Sequence, residues 1–175
     1  MSAPARVLVA GLGNIFFGDD AFGVAVAKRL AEHGVPEGMR VADFGIRGIH
    51  LAYELLEEAY DLTVLADATA RGGAPGTLYV IEPDLGRAAP AAAPAVADAH
   101  GMSPDQVFAW LTKLGGRPGR VVVVGCEPAR IDEGIGLSEP VANAVAEAVR
   151  LILDLVQRER PLATGGRAAT REESA

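Results

Sequence analysis

Short apolar runs alternate along this chain with stretches of helical spacing, and that alternation is the signature of an α/β domain built on a largely parallel sheet. The runs are Arg6–Ala10 (RVLVA), Met39–Asp43, Leu62–Ala66 (LTVLA), Gly76–Ile81 (GTLYVI) and Arg120–Gly125, whose four consecutive valines imply burial on both faces. Between them, Asp20 to about His33 carries Phe22, Val26 and Leu30 four residues apart, which predicts an amphipathic helix. Gly48–Ala59 predicts a second. Ser103 is placed to cap a third, with Pro104 in its first turn and Val107, Trp110 and Leu114 along one face. A fourth starts near Ser138 and Glu139 and is expected to end at about Arg158.

One connection does not fit an all-parallel sheet. The link between the third and fourth runs, ATARGGAP, is too short for a crossover, because parallel strands need a dozen or more connecting residues. The fourth strand is therefore expected to run antiparallel.

At 175 residues the chain fits one domain. Half of it is hydrophobic but only 5% is aromatic, so the core must be made mainly of Ala, Val and Leu. Asp84–Ala99 is rich in Pro and Ala and reads as a mobile loop, and 161–175 has the composition of a disordered tail. A single cysteine, Cys126, excludes an internal disulfide framework and fits a reducing compartment. The first residues lead straight into a glycine turn, as a first strand does and a signal peptide does not. No apolar run approaches membrane-spanning length. A formal charge of −7 disfavours nucleic acid. The expectation is a soluble, monomeric, cytoplasmic protein with neither membrane nor nucleic-acid partners.

Three places carry candidate chemistry. The first is GLGNIFFGDDAFG, residues 11–23, where glycines permit a tight turn before a helix. A dinucleotide reading fails on two counts: Phe16 stands where the third glycine belongs, and Asp19 and Asp20 occupy the place of the pyrophosphate. A carboxylate at Asp19 can cap the helix, but two adjacent acids exceed what capping needs, and Asp20 is taken as functional. The second is Asp67, after LTVLA, at the strand end where open α/β sheets bind ligands. Turn formation is its bland alternative. The third is His100, in AHGMSP. Of the other two histidines, His33 suits a helix C-terminus and His50 a helix surface. Asp20, Asp67 and His100 offer two oxygens and a nitrogen with coordination positions left open. Asp43, in ADFGIRG, either supports this site or shapes its turn. Cys126 follows a buried valine run, where an apolar setting leaves a thiol inert.

The ordered set VLVAGLGNIFFGDDAFG, DFGIRGIHLAYELL, LTVLADA, GTLYV, AHGMSP, VVVVGCEP and GIGLSEPV resembles the hydrogenase maturation peptidases over about residues 6–155. The resemblance implies an α/β/α sandwich on a five-stranded mixed sheet, forming one peptidase domain over 1–160. It implies an endopeptidase, aspartic-type or metal-assisted, that trims the C-terminal extension of a [NiFe]-hydrogenase large-subunit precursor. By position, the family's two metal-contacting acids fall on Asp20 and Asp67, which are also the catalytic candidates, and its histidine falls on His100. Nickel is expected to arrive in the precursor, with no metal bound permanently by the enzyme. Rival readings are a nucleotide-binding α/β module, a peptidyl-tRNA hydrolase (disfavoured by 23 acids against 16 basic residues) and a non-catalytic relative that only binds precursor or nickel.

Overall fold

A computed structural model describes residues 3–84 and 103–168, with backbone alone beyond 159. Five strands, β1 (Val7–Leu12), β2 (Met39–Gly45), β3 (Leu62–Ala68), β4 (Leu78–Ile81) and β5 (Arg120–Cys126), form one sheet in the order β2-β1-β3-β5-β4. All neighbours are parallel except β4 on β5, which is antiparallel as the short link requires. Four α-helices cover it: α1 (Phe22–His33), α2 (Gly48–Glu57), α3 (Pro104–Lys113) and α4 (Glu139–Ala168).

The period of two along each strand divides the apolar residues between two cores. Val7 and Val9, Leu62, Val64 and Ala66, and Val122 and Val124 face α1 and α4, where they meet Phe22, Val26, Leu30, Val145 and Ile152. Leu8, Ala10 and Leu12, Leu65, and Val121 and Val123 face α2 and α3, meeting Leu51, Leu55, Val107, Phe108 and Leu111. The result is a three-layer α/β/α sandwich. Full burial of each such aliphatic side chain contributes about 1.5–3 kcal/mol, so a core with few aromatics is sufficient. Ser103 starts α3 as expected, its N–H donating to Gln106 Oε1 at 2.9 Å, the return arm of a capping box.

Boundaries differ from expectation in ways that matter for the site. β1 runs on to Leu12 and β3 to Ala68, so Asp67 is still inside its strand. The helix expected from Asp20 is preceded by a separate 3₁₀ turn, Gly18–Ala21, and α1 begins only at Phe22. The tighter turn carries Asp19 inward while Asp20 stays partly exposed. α4 continues past Arg158 to Ala168, through Pro161 and two glycines. Those residues disfavour a new helix but extend an existing one, since propagation costs far less than nucleation. Of the tail expected over 161–175, residues 169–175 lie outside the described residues. So does 85–102, which contains most of the expected mobile loop. Among the described residues, no helix is long and apolar enough to cross a membrane.

Candidate functional site

The site lies at the carboxyl edge of the sheet, where the ends of β1, β2, β3 and β5 converge. β1 leaves the sheet at Leu12 into Gly13, whose φ of +129° suits only glycine, and whose place a side chain would share with the Asp20 carbonyl. Gly13 N–H donates to Gly45 O at 3.0 Å, tying the end of β1 to the end of β2. The next N–H, of Asn14, donates to Asp20 Oδ2 at 2.8 Å. The glycine loop therefore folds back on the turn that follows it and fixes the Asp20 carboxylate. A second glycine, Gly23, lets α1 approach closely: a Cβ there would collide with the carbonyl oxygens of Ala66 and Leu12.

Asp67 projects from β3 opposite Gly125 of β5, one residue beyond the fully buried Ala66. Its carboxyl is pushed up to about 7, first by burial and then by the negative charge of Asp20; a hydrogen bond from the Ala68 backbone opposes both. The two acids, 47 residues apart in sequence, thus share one electrostatic environment. Asp43, two residues before the end of β2, is the register partner of Gly11 and is exposed, and its carbonyl accepts Arg47 Nη2 at 3.0 Å. His100 lies outside the described residues. Among the described residues, no cluster of three His, Cys, Asp or Glu side chains is placed to hold a metal.

The remaining candidates separate cleanly from the site. His33 and His50 are exposed on their helices. Cys126 is fully buried, and burial, followed by the charges of Asp19 and Glu127, pushes its thiol up to about 11. At neutral pH the thiol is therefore protonated, in line with its apolar strand.

Two organising acids escaped the sequence reading. Asp19 is no helix cap. It is completely buried, and its carboxylate accepts Ala129 N–H (2.8 Å), Arg130 N–H (3.1 Å), Ser138 N–H (2.7 Å) and the Ser138 hydroxyl (2.8 Å). Burial alone would raise its pKa, but these donors more than offset it and hold the carboxyl below its ordinary value. Gly18 N–H to Gly134 O and Gly134 N–H to Phe16 O, both 2.9 Å, complete the seam between the Asp20 loop and the β5–α4 loop. Glu127 acts similarly on the β3–β4 link, accepting Arg71 N–H (2.7 Å), Gly72 N–H (3.2 Å) and Tyr79 Oη–H (2.9 Å). The signal for Glu127 was available: an acid just past a buried strand, the same pattern that singled out Asp67.

Comparison with known proteins agrees with this architecture. The family model described as hydrogenase maturation protease matches residues 24–155. The hydrogenase expression/formation protein HupD of Rhodobacter capsulatus is 38% identical over 158 residues, covering 84% of this chain and 71% of its own. Among solved structures, the hydrogenase maturating endopeptidase HybD from E. coli superimposes with a TM-score of 0.69 at 26% identity, covering 88% of this chain and 93% of that one. A hydrogenase 2 maturation peptidase from a Thaumarchaeota archaeon gives 0.67 at 30% identity over 87% and 98%. A family match across most of the chain, a relative of this identity, and the same sheet with its one reversed strand together place the chain in the hydrogenase maturation protease family of peptide-bond hydrolases.

Proposed function

We propose that this protein removes the C-terminal extension of a [NiFe]-hydrogenase large-subunit precursor and recognises that precursor by the nickel it carries. The observation that supports the site is the convergence of Asp20 and Asp67 at the carboxyl edge, within each other's field. In this reading the two carboxylates and the imidazole of His100 grip nickel held by the substrate. Two oxygens, one nitrogen and no thiolate bind free divalent metal weakly, so the enzyme by itself keeps none. Gripping the metal fixes the scissile bond against the acidic edge, and orientation of that kind accounts for a large part of hydrolytic rate enhancement. Asp20 or Asp67 then takes a proton from the attacking water as general base. The lone, buried Cys126 suits a reducing setting, and the cytoplasm is the compartment we assign; the working form in this reading is a monomer. Incubation with matched precursors, with and without nickel, followed by mass measurement of the precursor's C-terminus, tests the reading. Cleavage of the nickel-loaded form alone is expected. Equal cleavage of both would falsify nickel recognition while leaving the peptidase standing.

A further inference from the structure

β2 is an edge strand whose outer side no described strand covers. Its register on β1, with Val7 opposite Met39 and Val7 N–H bonded to Gly38 O, turns the backbone groups of Arg40 and Ala42 toward β1. Those of Met39, Val41 and Asp43 therefore point outward. Two of these outward groups are already used: Met39 N–H donates to Pro36 O at 3.1 Å, and Asp43 O accepts Arg47 Nη2 at 3.0 Å. Left facing outward are the C=O of Met39, the N–H and C=O of Val41 and the N–H of Asp43. This is the run of groups that one added strand would pair with. Beside them lies a cleft of about 480 Å3 between β2 and α2, floored by Ala42 and Phe44 and walled by His50 and Tyr53.

The cleft leads into the site. Asp43 lines it and is the register partner of Gly11 in β1. Two residues on, Gly45 O holds Gly13 N–H, and the adjacent Asn14 N–H holds Asp20. At roughly 3.3 Å per residue, a chain extended along Val41 and Asp43 passes onto the carboxyl edge within a few residues. Both cations along the cleft are already engaged, Arg40 paired to Glu54 and Arg47 bonded to the Asp43 and Phe44 carbonyls. That arrangement favours main-chain recognition over a particular side-chain sequence.

We propose that the open edge of β2 binds the precursor's C-terminal extension as an added strand, delivering the scissile bond to Asp20 and Asp67. The inference rests on the function proposed above. It adds that the extension is held through its backbone, by β-augmentation, which leaves discrimination to the nickel.

Amide hydrogen exchange on the whole protein, alone and with nickel-loaded large-subunit precursor, tests it directly. The Val41 and Asp43 amides are expected to exchange quickly in the free protein and to slow at least tenfold with precursor. Unchanged exchange alongside normal cleavage overturns the added strand but not the peptidase, whereas absence of cleavage overturns the function itself. Protection that instead rises with protein concentration without precursor means a second copy occupies the edge, and also overturns the proposal. As a second arm, Val41→Pro removes an outward donor and no bond to β1, a substitution edge strands tolerate. It should raise KM about five- to tenfold with kcat little changed, the worth of about one hydrogen bond. A variant that folds and cleaves with unaltered KM counts against the proposal.

Discussion

Asp67 is held protonated up to about pH 7 by its burial and, after that, by the negative charge of Asp20 across the sheet edge. The folded protein thus holds a proton that the unfolded chain releases near its ordinary value of 3.8. The sign follows from linkage: stability falls as pH rises from about 4 to about 7, and the full cost persists above that. The shift corresponds to as much as roughly 4 kcal/mol. Asp67→Asn should therefore be more stable than the parent at pH 8 and nearly equal to it at pH 4. Denaturant melts at the two pH values check this, and equal gains at both would show that Asp67 is not strained by its charge.

Neutralising the neighbour should act on the same proton. Asp20→Asn removes the charge that raises Asp67, so the Asp67 titration observed by carboxyl NMR should move down while remaining above the ordinary aspartate value because burial persists. If its midpoint does not move, the two carboxylates are not coupled.

Processing should fail in Asp20→Asn, Asp67→Asn and His100→Ala, each by a factor of a hundred or more if the group grips metal or moves a proton, on the order of general acid–base contributions. Circular dichroism should show the fold intact in all three. Purified parent protein should contain little metal, as elemental analysis can determine. Full activity in all three variants would remove the site assignment.

Asp19 should behave differently from Asp20. Its Asn variant turns an amide N–H toward backbone donors and gives up charge-assisted hydrogen bonds, a loss on the order of 3 kcal/mol. At about 2–4 °C per kcal/mol for a domain of this size, Tm should drop by roughly 6–12 °C. Because its folded pKa is depressed, this contribution is present above the ordinary carboxylate pKa and lost as pH falls through the lower folded value. The gap between parent and variant should therefore shrink in strong acid. A melting difference unchanged in acid would mean the carboxylate's charge is irrelevant.

Gly23→Ala places a methyl group against the Ala66 and Leu12 carbonyls. Both oxygens belong to central strands and have little room to move, so the cost should reach or exceed the usual 1–3 kcal/mol of overpacking. A melt indistinguishable from the parent's would mean that α1 does not pack as closely as described.

What could be read beforehand was whatever depends on local spacing. Strand and helix identity, the two-faced burial of Val121–Val124 and the reversal of β4 all follow from patterns a few residues long, as does the apolar setting of Cys126. Asp20 and Asp67 stood out because an acid beside a glycine loop or a buried strand is costly without a purpose. The role of Asp19 was hidden because its donors come from residues 129, 130 and 138, and nothing in GDDAFG announces a partner so distant. Intrinsic propensity likewise gave no reason to carry α4 through Pro161.

That distance also dictates an order of events during synthesis. Asp19 leaves the ribosome 119 residues ahead of Ser138, a delay of roughly 6–24 s at ordinary elongation rates of about 5–20 residues per second. Throughout that interval the carboxylate stays in water, and the loop that carries Asp20 has nothing to close against. In the proposed mechanism, a nascent chain that already contains both acids is consequently not yet a protease, and competence arrives only with the segment that leads into the last helix.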